Sequence, residues 1–365
     1  MKRVVITGIG AITSIGNTPD DVLLSFQNNK TCFERSTIDE DLVVCPIHNF
    51  NLKNYISSFK NVRYLNRGNS FALACATLAV QDANIAKKDL ASAGLFVSVA
   101  PNLNIGEDFS NICDGKIDWK KNSALWILKF LPNTSTSIIS QYLDIHGESA
   151  VIGNACAASL HAIGYAYQKI KWGNIDLALA GGGDSRISEG GLMAYKKADA
   201  IYTGKMEPHK VCMPFDKKRE GFICGEGGAF FLLEEMTQAQ KRNAHIYAEI
   251  LGVGATTDGY SMTAPEPSGK WAQIAVQKAI DEANLSFQDI EIIATHGTST
   301  ILNDEMESQM LARIFSKGAT VTAFKSWIGH LSASCGAVEL ALALYCAKNK
   351  YFPPIRNLEE PCTKD

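Results

Sequence analysis

Three segments of this chain carry the side chains best suited to chemistry: one thiol, two imidazoles and a lysine. The first is Gly153-Asn154-Ala155-Cys156-Ala157-Ala158-Ser159-Leu160-His161-Ala162-Ile163-Gly164. From Ala157 onward its residues are small and helix-forming, with Leu160, Ile163, Gly164 and Tyr167 recurring on one face. That pattern puts Cys156 at or just before a helix N-terminus. Free backbone N–H groups and the helix dipole there favour a thiolate, so a lowered thiol pKa and a nucleophilic role are expected. The second segment, Ala294-Thr295-His296-Gly297-Thr298-Ser299-Thr300, sets His296 just beyond a buried strand, where side chains reach the mouth of a site. The third, Phe324-Lys325-Ser326-Trp327-Ile328-Gly329-His330, brings Lys325 and His330 into a glycine-bearing loop, followed by a helix that contains Glu339. Taken singly, each has a plainer reading. A cysteine among small residues is more often an inert buried hydrophobe, and a lone histidine is more often a satisfied core or loop residue. Three such segments in this order weigh differently.

The elements that position these segments alternate between strand and helix. Arg3 to Thr7 reads as a short buried strand ended by Gly8-Ile9-Gly10, and Arg67 to Asn84 as an Ala-rich helix. Gly94 to Ala100 and Ile175 to Ala180 read as further buried strands, the second ended by a turn at Gly181-Gly182-Gly183. Gly228 to Leu233 and Ala248 to Val253 are expected to be adjacent strands joined by a helix over Thr237 to Asn243. Lys270 to Ala283 is an amphipathic helix and Ile290 to Thr295 a strand. Alternation of this kind predicts an α/β protein with largely buried sheets. Arg3–Gly10 and Ile290–Gly297 share a strand-into-glycine pattern, which suggests two similar halves meeting near residue 245. Gly8-Ile9-Gly10-Ala11-Ile12-Thr13 imitates a dinucleotide fingerprint, but Thr13 replaces the third glycine and no acidic residue closes a second strand at the required distance.

Bulk composition excludes several classes. The formal charge of the 365 residues is −3, which gives no basis for broad binding to nucleic acid or a membrane surface. No uncharged apolar run approaches the ~18 residues of a membrane span. None of the ten cysteines forms a C-x-x-C pair, and Cys75 and Cys346 sit in apolar runs, so zinc ribbons, redox dithiols and disulfide scaffolds are not expected. A cytoplasmic protein without metal or cofactor is the expectation.

The strings Asn154-Ala155-Cys156-Ala157, Thr295-His296-Gly297-Thr298-Ser299-Thr300 and Lys325-Ser326-Trp327-Ile328-Gly329-His330 resemble the cysteine, first-histidine and lysine/second-histidine motifs of β-ketoacyl synthases. Phe215-Asp216-Lys217-Lys218-Arg219-Glu220-Gly221-Phe222, Gly225-Glu226-Gly227-Gly228, Asn303-Asp304 with Glu307, Gly336-Ala337-Val338-Glu339 and Pro353-Pro354-Ile355-Arg356-Asn357-Leu358 also match. The resemblance runs from end to end. It implies a thiolase-like α/β fold, two related halves in five layers, divided here into 1–244 with the nucleophile and 245–365 with both histidines. It also implies a dimer, either a homodimer or a heterodimer with a second ketosynthase-like subunit, acting on acyl and malonyl forms of acyl carrier protein. The implied reaction is a decarboxylative Claisen condensation in type II fatty-acid or polyketide assembly. Cys156 would carry the acyl chain, His296 and His330 would stabilise the enolate, Lys325 would balance charge around them, and Glu339 would support Lys325. Glu339 and Lys325 read equally well as a plain ion pair.

Departures from the family pattern keep a second reading open. Ser332-Ala333-Ser334-Cys335 replaces a stretch usually built from Gly and Ala, Glu220 stands where aspartate is usual, and Pro101-Asn102-Leu103-Asn104 replaces a glycine-rich turn. Those loops border the acyl channel in the family, so the resemblance leaves acyl length and shape open. In the family a later Gly-Phe-Gly-Gly turn supplies a second oxyanion N–H, and this sequence reaches Pro361-Cys362-Thr363-Lys364-Asp365 without it. Loss of one such donor costs about 10²–10³ in rate elsewhere. The alternative expectation is therefore a non-catalytic or weakly active partner subunit of the chain-length-factor kind. A thiolase proper would need a second catalytic cysteine, for which Cys335 is the nearest candidate, and a cysteine protease has no use for two histidines and a lysine.

Overall fold

Runs of β-branched and small residues form the strands, and the computed structural model describes residues 1–104, 112–315 and 318–363. The strands are β1 Val4–Ile12, β2 Glu34–Arg35, β3 Val43–Cys45, β4 Gly94–Ser98, β5 Ile112–Cys113 and β6 Lys116–Ile117. They continue as β7 Ser149–Ile152, β8 Leu177–Ser185, β9 Cys224–Glu235, β10 Ala248–Ile250, β11 Ile292–Ala294 and β12 Thr320–Thr322. The main sheet runs in the order β10-β1-β9-β8-β4-β7, with β3 pairing β9 and β2 pairing β3. Its β8-β4-β7 side is parallel, the β10-β1, β1-β9 and β9-β8 pairings are antiparallel, and β3 pairs with β9 in parallel. A second sheet pairs β11 with β12 in parallel.

Both faces of the main sheet are covered, which explains strands without polar alternation. The helix Arg67–Asp82 packs on one face, with Phe71, Leu73 and Cys75 buried against Leu95, Leu179 and Phe230. The helices Ala158–Lys171 and Cys335–Asn349 pack on the other, burying Ala162, Ile163, Tyr167, Ala337 and Leu342 against Phe96, Ala180 and Phe231. Cys335–Asn349 also meets β11, so it joins the two sheets. The helices Lys270–Ala283 and Ile301–Ile314 pack on each other. This is the α/β, thiolase-like arrangement expected.

Several local expectations change. Gly8 and Gly10 do not end the first strand; β1 continues to Ile12, with a register shift between Ile6 and Gly8. The reason is packing. A Cβ on Gly10 would lie 2.0 Å from the Cys75 carbonyl oxygen, and one on Gly8 would lie 2.3 Å from that of Ala79, so glycine lets the helix Arg67–Asp82 seat directly on the strand. The same holds for Gly183 inside β8, whose Cβ would meet the Ala72 nitrogen at 2.4 Å. The strands around Gly228–Leu233 and Ala248–Val253 are not neighbours, because β1 lies between β9 and β10. Both Gly94–Ala100 and Ile175–Ala180 fall on interior strands, leaving β7 and β10 at the sheet edges.

Candidate active site

Cys156 sits where β7 gives way to a 3-10 turn, Ala155–Ala157, that runs into the helix Ala158–Lys171. Ala155 takes the left-handed backbone conformation, φ 46°, a strained choice for a residue with a Cβ. His296 follows β11, and its loop is held by two acids of the helix Ile301–Ile314. Glu307 accepts the His296 N–H at 2.7 Å and the Gly297 N–H at 2.8 Å. Asp304 accepts the N–H groups of Thr298, Ser299 and Phe215 at 2.9, 3.0 and 2.8 Å. Lys325 opens the short helix Lys325–Ile328, after which Gly329 at φ 72° turns the chain so that His330 lies alongside β9. There its N–H donates to the Ile223 carbonyl at 2.7 Å and its carbonyl accepts from the Gly225 N–H at 3.0 Å.

The structure brings all five sequence-derived residues together. Cys156 Sγ lies 3.3 Å from His330 Nε2. Lys325 Nζ donates to the His296 carbonyl at 2.7 Å, reaches His296 Nδ1 at 3.2 Å and pairs with the Glu339 carboxylate. Lys325 and His330 are buried, whereas Cys156 and His296 each keep an accessible edge.

Hydrogen bonding decides the proton positions. The Ser332 N–H donates to His330 Nδ1 at 3.0 Å, so that nitrogen is unprotonated and Nε2 carries the proton toward Cys156. The Lys325 ammonium occupies His296 Nδ1 in the same way, leaving Nε2–H on that ring too. Burial, reinforced by the Lys325 charge, holds the His330 pKa down at about 3 and that of His296 well below its usual value. Both rings are therefore neutral donors at working pH. Glu339 and its neighbours hold Lys325 protonated, outweighing the opposing effect of burial, and burial raises the Glu339 carboxyl against the pull of Lys325.

The thiol departs from expectation. Burial raises the Cys156 pKa, and the Lys325 charge only partly offsets it. Cys156 Sγ and ring nitrogens of His296 and His330 lie within 4.8 Å of one another, a spacing compatible with a metal ion. The hydrogen bonds argue against that use: each ring presents an N–H rather than a lone pair, and the Lys325 ammonium lies beside the set.

The sequence reading assigned no role to Asp304 or Glu307, although both stood in a matched string, nor to the Ser332 N–H. Phe222, also in a matched string, packs against the His330 ring in a tilted arrangement, centroids 4.7 Å apart. The signal for the two acids was available as carboxylates three apart on a helix directly after the histidine loop.

A layered α/β fold with a thiol facing two neutral imidazoles defines the condensing-enzyme class. The chain belongs to the β-ketoacyl synthase family: residues 1–239 match the β-ketoacyl synthase N-terminal domain and residues 247–359 the C-terminal domain. It is 30% identical over 366 residues to 3-oxoacyl-[acyl-carrier-protein] synthase 2 of Staphylococcus aureus, covering 97% of this chain and 87% of the relative. A crystal structure of a β-ketoacyl synthase from Burkholderia phymatum superposes with TM-score 0.90 at 30% identity, covering 99% of this chain and 90% of that one. The ishigamide ketosynthase/chain length factor superposes with TM-score 0.88 at 25% identity, covering 99% and 89%. No helix among the described residues is long and apolar enough to cross a membrane.

Proposed function

We propose that this chain is a β-ketoacyl-acyl-carrier-protein synthase in which Cys156 is the nucleophile, His296 and His330 the enolate-stabilising donors, Lys325 their charge partner and Glu339 its support. The observation that carries the reading is that Lys325 and the Ser332 N–H occupy both Nδ1 atoms, so two neutral Nε2–H donors serve the cleft beside Cys156. In the first half-reaction the Cys156 sulfur attacks an acyl thioester of the carrier protein; the carrier thiol leaves with the proton that Cys156 gives up. In the second, the carboxylate of malonyl-carrier protein departs as carbon dioxide. The electron pair of the broken C–C bond moves onto the thioester oxygen, which receives both Nε2–H groups. The enolate carbon then attacks the acyl carbonyl on Cys156, the C–S bond breaks, and the Cys156 thiolate regains a proton from water.

The division into 1–244 and 245–365 is part of the same proposal, supported by matches that end at 239 and begin at 247. So is a dimer, supported by the edge strand β7, which pairs only with β4 among the described residues. A cytoplasmic location is supported by the free thiols Cys32, Cys45, Cys75, Cys212, Cys224, Cys335 and Cys346. The likeness to a ketosynthase/chain length factor supports a second reading, a subunit whose partner performs the condensation. An assay with labelled acyl- and malonyl-carrier proteins separates the two. Label should reside on the parent chain and vanish in Cys156→Ala. Undiminished condensation by a co-purified pair carrying Cys156→Ala would move catalysis to the partner.

A further inference from the structure

Behind His330, on the side away from Cys156, lies a second thiol. Cys335 opens the helix Cys335–Asn349 and is 1% exposed. Its sulfur accepts the Leu331 N–H at 3.2 Å and lies 3.7 Å from His330 Nδ1. That nitrogen already accepts the Ser332 N–H at 3.0 Å, so it holds no proton to give. With Leu331 donating to the sulfur and Nδ1 able only to accept, the S–H of Cys335 is the one group in this contact that can donate to the ring. We propose that Cys335 is a positioning residue for the condensation, its S–H sharing the single Nδ1 lone pair of His330 with the Ser332 N–H in a three-centre contact and thereby favouring the Nε2–H form aimed at Cys156. The proposal rests on the reading that His330 acts as a neutral donor.

The chemistry supports a thiol here. The Ser332 N–H comes from a 3-10 turn, Ser332–Ser334, whose first residue is itself left-handed at φ 49°. The ring also meets Cys156 Sγ through Nε2 and the Phe222 ring on its face, and the Cys335 contact adds a restraint on the Nδ1 side, where the Ser332 N–H is the other donor. Burial raises the Cys335 thiol well above its usual value, so it remains a donor throughout the working range. It does not compete with Cys156 as a nucleophile, since it lies behind the ring and is enclosed. Cys335 therefore acts through His330 and touches no reacting atom.

The test uses the full chain with 15N-labelled histidine, with two variants, Cys335→Ala and Cys335→Ser. In the parent, the His330 Nδ1 resonance should sit upfield of a free imidazole lone pair. It should move downfield in Cys335→Ala and return most of the way in Cys335→Ser, whose hydroxyl can still donate. Carbon dioxide release from malonyl-carrier protein should fall about 3- to 10-fold in Cys335→Ala with KM nearly constant, and recover to within about 2-fold in Cys335→Ser. An Nδ1 resonance identical in the parent and Cys335→Ala would overturn the proposal, whatever the activity. So would a Cys335→Ser protein as impaired as Cys335→Ala while melting like the parent, because that pattern belongs to a packing role. A parent that releases no carbon dioxide would instead defeat the proposed function, and the resonance would still decide the role of Cys335.

Discussion

Cys156 and its two histidines have opposite relations to pH. Burial raises the thiol, so thiolate becomes plentiful only above its ordinary range, while both imidazoles are neutral far into acid. Alkylation of Cys156 by iodoacetamide should therefore keep accelerating from pH 7 through pH 9, following thiolate population, with no plateau near neutrality. A plateau at pH 7 would restore the lowered pKa that helix position alone suggested. The histidines contribute no acid limb to carbon dioxide release between pH 8 and 5, because the His330 pKa is about 3. Replacing His296 or His330 by Ala should slow carbon dioxide release by about 10²-fold or more and leave acyl transfer to Cys156 much less affected. Equal losses in the two half-reactions would show that the substitution damaged the site as a whole.

At the scale of elements, the site depends on loops kept in unfavourable conformations by two acids, buried Asp304 and half-buried Glu307. Ser299 and Phe215 are left-handed at φ 68° and 66°, and both donate backbone N–H groups to Asp304. Gly297, at φ 41°, donates to Glu307. Glu307→Ala would strand two backbone donors, those of His296 and Gly297, at about 1–3 kcal/mol each. The expected result is a drop of several degrees in Tm together with slower carbon dioxide release; Glu307→Gln, which keeps one acceptor oxygen, should lose less of both. An alanine variant with parental Tm and rate would show that the loop does not need this carboxylate. Packing of the main sheet makes a parallel demand. Gly10→Val should destabilise by about 3 kcal/mol or more, measured by urea unfolding, since its Cβ would lie 2.0 Å from the Cys75 carbonyl oxygen.

For the whole molecule, burying histidine in the neutral state ties stability to pH. His330 titrates near 3 when folded and near its usual 6.5 when unfolded. Below 6.5 the unfolded chain takes up the proton first. The contribution is therefore complete above pH 6.5 and is lost progressively as pH falls toward 3, by at most about 1.4 kcal/mol per pH unit. Half-buried Glu307 and buried Glu339, whose carboxyls are raised by loss of water, work in the opposite sense as they take up protons when folded. Comparing urea midpoints of the parent and His330→Gln at pH 7 and pH 5 isolates the histidine: the variant should lose less on acidification. An identical loss would mean that His330 is not buried neutral. The edge of β7, unpaired among the described residues, bears on assembly, and light scattering should give roughly twice the 39.6 kDa mass of the chain at micromolar concentration. A single-chain mass would remove the dimer.

Residue identity alone carried much of this protein. The thiol in a run of small residues, the two histidine strings and the lysine four residues before Gly329 were all legible, and so was α/β alternation, because covered sheets impose apolar strands and helices impose their own period. The helix Lys270–Ala283 appears with the bounds its amphipathic pattern suggests. Contact decided the rest. Gly8, Gly10 and Gly183 read as turns, yet they lie within strands because a helix backbone presses on them from another part of the chain. The order β10-β1-β9 likewise depends on which hydrophobic faces meet, and adjacency in sequence does not encode it. Above all, the protonation states came from tertiary structure. Desolvation and a lysine brought from 29 residues away determine whether His296 is a donor or a cation, and burial raises the Cys156 thiol despite the Lys325 charge. Sequence supplies the groups, whereas the water removed around them is a property of the folded molecule.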